Sequence, residues 1–292
     1  MEKQFLITIS SQSEHLYGVR FFCSFFNNMS GCRVTLVHVW NPGGTNMKNV
    51  LSTMWDDPDQ GKEQFPPGSR RAINKSRELI TGSEMSVEHI LTRAVRERYG
   101  IVKDILTENT QGLYDAIILG RRESYNLQWM FEKPADKTVK SIIRDNRSMT
   151  PVWICPASEP GRKNVLLCID GSQNSARAVD HVGYILSDYN QHSVTLFHVK
   201  NLPGSGSDAI FQQAEAILHE YGINDERIKR HSTSGLSVPG AILAEIERGG
   251  YGAVAVGMYG ENRGRQQGSG LAGKTTGKLI NRIEKASLWC CP

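Results

Sequence analysis

Short apolar, β-branched runs alternate along the chain with longer stretches whose apolar residues recur at helical spacing. That is the habit of βαβ units around a parallel sheet. In the C-terminal part the pattern predicts strands over Asn164–Ile169, Ser193–Val199, Arg227–Ser232, Gly252–Gly257 and Leu288–Cys291. Helices are predicted between them over Ser175–Asp188, Asp208–Tyr221, Pro239–Arg248 and Lys274–Lys285. The second of these carries Ile210, Phe211, Ala214, Ile217 and Leu218 on one stripe, and Pro239 opens the third where a first turn tolerates proline.

The chain also repeats itself. Val34-Thr-Leu-Val-His-Val39 matches Val194-Thr-Leu-Phe-His-Val199 at an offset of 160, with one substitution. Tyr114–Gly120 matches Tyr251–Gly257, and Pro151–Pro156 matches Ser287–Pro292, at offsets near 137. The first copy is therefore longer, and its excess falls around Asn46–Arg70, which contains Pro66-Pro67-Gly68. Ala157–Lys163 has turn and linker chemistry, which predicts two units, 1–157 and 163–292. Five strands and four helices per unit predict an α/β fold of two tandem, doubly wound, five-stranded parallel-sheet domains of Rossmann-like type with right-handed crossovers.

The 292 residues suit two domains, and 39% hydrophobic content is enough for a core in each. No apolar run approaches the roughly 20 residues that span a bilayer. No basic segment followed by a long apolar stretch opens the chain, so a cytoplasmic protein without membrane contact is expected. A net charge of +4 is small for a nucleic-acid binder. The six cysteines form no CxxC pair, which argues against zinc, and Cys155, Cys168, Cys290 and Cys291 read as small buried hydrophobes. His38 and His198, at equivalent places in the second strands, read as packed, hydrogen-bonded histidines.

Ligands of doubly wound sheets sit beyond the carboxyl ends of the strands, so the residues just after the strands carry the chemistry. The first strand of the second copy ends Cys168-Ile169-Asp170-Gly171-Ser172. A carboxylate there suits an adenine amino group or a ribose hydroxyl, and it equally suits a helix N-cap. The fourth strand ends Gly257-Met258-Tyr259-Gly260, and Gly270-Leu-Ala-Gly273-Lys274-Thr275-Thr276 runs into the last helix. Glycines let backbone N–H groups approach phosphate, and a helix N-terminus adds free donors and partial positive charge. Gly268–Thr275 also satisfies the letters of the Walker A pattern. A P-loop protein, however, needs a strand running straight into that loop and a later metal-holding Asp. Neither is present, because the nearest strand ends at Gly257 and the 17 residues after Thr275 contain no Asp.

Taken together, the strand-Asp-Gly-Ser opening, the Thr-Leu-(Val/Phe)-His-Val second strand and the paired glycine clusters before the last helix resemble the universal stress protein family. The resemblance covers both copies. It implies an adenine nucleotide alpha hydrolase-like sheet of order 3-2-1-4-5 that, in the nucleotide-binding branch, holds ATP without rapid turnover; Mg2+ enters as an optional companion of the ATP and in the ATPase or autokinase alternative, with Lys274 and Thr275. Carried over, Asp170 meets adenosine with Ile169 and Gly171 beside it, and Val199 packs on the adenine. Gly257, Tyr259 and Gly260 line the ribose and phosphates, and Gly273, Lys274, Thr275 and Thr276 take the phosphates. Gly270 competes with Gly273 for that role, and Gly273 is preferred because Lys274-Thr-Thr-Gly-Lys-Leu-Ile continues as the family's last helix does. Family members pair through the last strand, which implies an internal pseudo-dimer of the two copies here and allows a homodimer besides. The Trp153 and Trp289 strands would be the edges open to that pairing.

The first copy has Ser10 in place of the Asp, Glu123 in place of a loop glycine, and Phe131–Asp136 in place of the phosphate glycines. Carboxylates there oppose a triphosphate. Arg121, Arg122 and Lys137 are left to hold some other anion, and the copy reads as a structural or regulatory partner. The leading expectation is an ATP-binding stress-response protein, regulated through an unidentified protein partner, without efficient hydrolysis. Alternatives are a slow ATPase or autokinase, and an interaction scaffold that binds no nucleotide.

Overall fold

A computed structural model describes residues 2–11, 13–26, 29–40, 67–120, 150–157, 159, 161–200, 207–235, 237–258 and 274–292. The side chains of Val102, Lys274 and Asn281 are not described. The excess around Asn46–Arg70 and the group Arg121, Arg122, Glu123, Phe131–Asp136 and Lys137 fall mostly or wholly outside these residues.

The first half places β1 (Lys3–Thr8), α1 (Tyr17–Phe25), β2 (Cys32–Trp40), α2 (Pro67–Thr81), β3 (Ile90–Arg96), α3 (Ile101–Gln111), β4 (Ala116–Gly120) and β5 (Val152–Cys155) in sequence. The second places β6 (Val165–Cys168), α4 (Gln173–Leu186), β7 (Val194–Lys200), α5 (Asp208–Glu220), β8 (Ile228–Ser234), α6 (Val238–Gly249), β9 (Ala253–Gly257), α7 (Lys274–Arg282) and β10 (Ser287–Cys291). All join one ten-stranded sheet of order β3-β2-β1-β4-β5-β10-β9-β6-β7-β8. Each half has the order 3-2-1-4-5 with parallel pairing throughout. Where the halves meet, β5 and β10 run antiparallel with Trp153 opposite Trp289.

Strands covered on both faces must be apolar at consecutive positions, and Val165–Leu167 and Ala253–Val256 are buried without a break. Alternation then sorts them between two layers. Phe5 and Ile7 join a core shared with α1, α2, α4 and α5, while Leu6 joins a separate one under α3. The shared core runs across the seam from Phe5 to Trp289, whereas α6 and α7 cover their own core on the opposite face.

Helix starts follow their caps. Gln173 begins α4, two residues ahead of the predicted start, because the Ser172 hydroxyl accepts from Ser175 N. Ser237 caps α6 in the same way, and Gly250 ends it in the left-handed region at φ 61°. As expected of an internal pseudo-dimer, the Trp153 and Trp289 strands pair with each other, which puts them in the middle of the sheet. The real edges, β3 and β8, carry exposed Arg93, Arg96, Lys229 and Arg230, charge that discourages further strand pairing.

At the seam the two indoles stack at 4.0 Å with their planes 4° apart, and both are fully buried. Trp153 Nε1 donates to His181 Nε2 (3.0 Å), whereas the buried Trp289 Nε1 has no hydrogen-bond partner among the described residues. Lys3 is buried from β1 across the seam, its ammonium paired with Asp188 and 5.4 Å from the ring centres of Tyr184 and Tyr189. Lys163 Nζ returns the connection by donating to the Ser24 and Phe25 carbonyls (2.6 and 3.1 Å).

Candidate functional site at the strand tips of the second half

At the end of β6, Ile169 N still donates to Phe197 O on β7 (2.9 Å), and the chain then leaves the sheet. Asp170 Oδ1 accepts from Ser172 N (3.0 Å), Gly171 turns the backbone at φ 78°, and Ser172 caps α4. The two readings left open for Asp170 thereby separate. The N-cap is Ser172, and Asp170 shapes the turn ahead of it with an exposed carboxylate.

β9 ends beside this turn. A Cβ built on Gly257 would come within 2.8–3.0 Å of the Asn174 carbonyl carbon and oxygen and of Ser175 N. Only a residue without a side chain lets the strand end rest on the first turn of α4. Thr276, buried on α7, donates its hydroxyl to Gly257 O (3.2 Å), and Met258 N donates to Cys291 O (2.6 Å). The first turns of α4 and α7 are thus held at one end of β6 and β9, where both helix dipoles present positive charge.

β7 completes the wall. His198 Nδ1 donates to Ile169 O (2.9 Å), fixing the carbonyl immediately before Asp170. Val199 follows it, packed with Phe197 and Val256 on the face of α6 and α7. Beneath the tip, burial and the Asp170 charge push the Cys168 thiol well up, so it is no nucleophile at neutral pH.

The structure brings together Ile169, Asp170, Gly171, Gly257 and the start of α7 at Lys274, Thr275 and Thr276, with Val199 on the strand adjoining β6. Thr276 spends its proton on the strand end rather than presenting it outward. Tyr259, Gly260, Gly270 and Gly273 lie outside the described residues. Among the described residues no three His, Cys, Asp or Glu side chains cluster as metal ligands, and no helix is long and apolar enough to cross a membrane.

One duplicated feature escaped the sequence reading. Buried Glu108 of α3 pairs with Arg93 of β3 (3.1 Å) and accepts from the Tyr114 hydroxyl (3.4 Å). Buried Glu245 of α6 stands 3.3 Å from His231 Nδ1 of β8 and accepts from the Tyr251 hydroxyl (2.9 Å). The signal was available, since in both copies a Glu precedes the Tyr by six residues.

No family model matches the chain, and no curated protein matches it. Solved structures do. A universal stress protein from Archaeoglobus fulgidus DSM 4304 superposes with TM-score 0.59 at 15% identity, covering 98% of this chain and 95% of that one. A universal stress protein from Pseudomonas aeruginosa UCBPP-PA14 superposes with TM-score 0.60 at 12% identity, covering 99% and 93%. The chain therefore has the fold of the universal stress proteins, laid out twice along one continuous sheet.

Proposed function

We propose that the protein is a tandem universal stress protein of the cytoplasm. Its C-terminal unit, 163–292, binds ATP with Mg2+, and its N-terminal unit, 1–157, serves as the regulatory or structural partner. The observation that carries this reading is the exposed Asp170 carboxylate beside the helix starts of α4 and α7, at the strand ends where such sheets take ligands. Asp170 would accept from the adenosine, and Val199 would support the base. Gly257 would admit the ribose and phosphates, and Lys274 with Thr275 would meet phosphate charge. Gly260, Gly270 and Gly273 belong to the proposed phosphate side on sequence grounds. The Thr276 hydroxyl would act by holding α7 in place.

Among the described residues of this arrangement, none supplies an activated nucleophile or a base at the phosphate end. The reading is therefore a nucleotide-dependent switch that acts on a protein partner, not an efficient hydrolase. Heat-denaturing freshly purified protein and chromatographing the released small molecules tests it. One adenine nucleotide per chain, absent from an Asp170→Ala/Lys274→Ala variant, is the expected result. No nucleotide, together with no binding on adding Mg-ATP, overturns it.

A further inference from the structure

A second concave site lies at the seam. An open surface concavity of about 940 Å3 lies where the C-terminal end of α3 and the segment leading into β4 face α4 and the residue that ends α5. Its size suits a small organic ligand. It shares no residue with the nucleotide site proposed above.

The lining is apolar and aromatic with few charges. Two carboxylates, Asp115 and Asp180, and one guanidinium, that of Arg177, line the concavity, and Arg177 Nη1 donates to Asn174 Oδ1 and to Pro292 O (3.4 Å each). Asp180 Oδ1 accepts from the Tyr221 hydroxyl (2.6 Å), and Asp115 Oδ2 accepts from Gln4 N (2.7 Å). Burial raises the Asp115 carboxyl above the usual carboxylate range, with the Gln4 N–H, the Tyr184 hydroxyl and Lys3 acting in the opposite direction. Lys3 is itself paired with Asp188, so its charge is already shared. The Tyr184 and Tyr221 rings meet at 6.5 Å and 72°. Tyr184 already lies 5.4 Å from an ammonium, that of Lys3, so the protein uses this ring against a cation elsewhere in the same neighbourhood. Leu113, 88% exposed, adds an apolar side chain to the lining.

We propose that this seam cavity binds a small organic ammonium ion with an apolar body, its charge at Asp115 and Asp180 and its body against Tyr184, Tyr221 and Leu113. An anionic ligand would face two carboxylates for one guanidinium, and a neutral one would leave that excess negative charge of the lining unmatched. Because residues of both halves form the walls, the ligand would also bridge them.

The test uses the full chain with three probes of one shape: phenethylamine, phenethyl alcohol and phenylacetate, titrated by ligand-observed NMR. The amine should bind at least about tenfold more tightly than the alcohol, and phenylacetate more weakly still. Asp180→Asn should weaken the amine about tenfold, and Arg177→Gln, which removes a competing cation, should tighten it. Asp170→Ala should leave amine binding unchanged while abolishing nucleotide. Equal binding of amine and alcohol, an Arg177→Gln variant that binds the amine more weakly, or no amine binding at 10 mM each overturn the proposal.

Discussion

In both halves a histidine near the end of the second strand donates to the carbonyl that follows the first: His38 to Ile9 and His198 to Ile169, at 2.8 and 2.9 Å. In both, a buried Glu binds a Tyr hydroxyl and a base from the third strand, and a glycine closes the fourth strand, Gly120 or Gly257. The halves part at the next residue of the first strand tip, where Ser10 stands opposite Asp170. Contacts that hold the backbone recur; the group that would face a ligand does not. The halves also part at the seam, where the Trp153 indole finds His181, whereas the residue at the same offset in α1 is Phe21 and the Trp289 N–H has no partner among the described residues. Polar contacts that hold the backbone within each half are thus shared, while the strand-tip carboxylate and the indole bond across the seam are not.

The sharpest break of this comparison is Gly257→Val. Its Cβ would press on backbone atoms of α4 at 2.8–3.0 Å, and backbone cannot rotate away as a side chain can. A loss of about 3 kcal/mol or more in urea unfolding is expected, the upper end of what overfilling a packed site costs. If the variant keeps its stability, the strand end does not rest on α4 as described.

Acid should act next, through the second half. Burial pushes His181 down to about 3 and His192 down to about 4, both below the roughly 6.5 of an unfolded histidine. Between those values the unfolded chain binds more protons than the folded one, so stability rises with pH there. The contribution is fully present above pH 6.5 and is lost as pH falls toward 4. Urea midpoints at pH 7 and pH 5 should show that drop, and His192→Gln should flatten it. A midpoint unchanged between the two pH values would refute the neutral buried histidines.

The seam asymmetry offers a matched pair. Trp153→Phe strands a buried acceptor, His181 Nε2, while Trp289→Phe deletes a donor that has nothing to donate to. The first variant should be less stable than the second by about 1–3 kcal/mol, the cost of leaving one buried polar group unpaired. Equal losses would mean the indole bond contributes nothing.

Much of this framework could be read from the sequence because it is local or repeated. The match between Val34–Val39 and Val194–Val199 located both second strands, and β-branched runs located the other four strands of the second half to within a residue or two. The seam was harder. That Trp153 reaches His181 and that Lys3 is buried against Asp188 depend on contacts 28 and 185 residues apart, which no window of pattern reports. Of the candidate site, residue types at the strand tips were legible and their structural duties were not. Gly257 looked like a place for a ligand's approach and also carries a helix–strand contact. Thr276 looked like a phosphate donor and bonds the strand it follows. Both duties come from side chains or backbone meeting across elements, and spacing along one element does not reveal them.

The smallest expected effects discriminate best between holding a fold and holding a ligand. Ser172 and Asp170 are two residues apart in one turn, yet only Ser172 caps α4, accepting from Ser175 N at 3.1 Å. Ser172→Ala should cost about 1 kcal/mol, the usual value of an N-cap, measured by urea unfolding of nucleotide-free protein. Asp170 is exposed and contributes one hydrogen bond to the turn, so Asp170→Ala should cost about 0.5 kcal/mol or less in the same assay, within the range of surface substitutions. In ATP binding the ranking should reverse: Asp170→Ala loses the nucleotide and Ser172→Ala retains it. If Asp170→Ala lowers stability as much as Ser172→Ala and leaves nucleotide binding intact, the carboxylate is a turn residue, and the two halves differ at that position only in how they bend the chain.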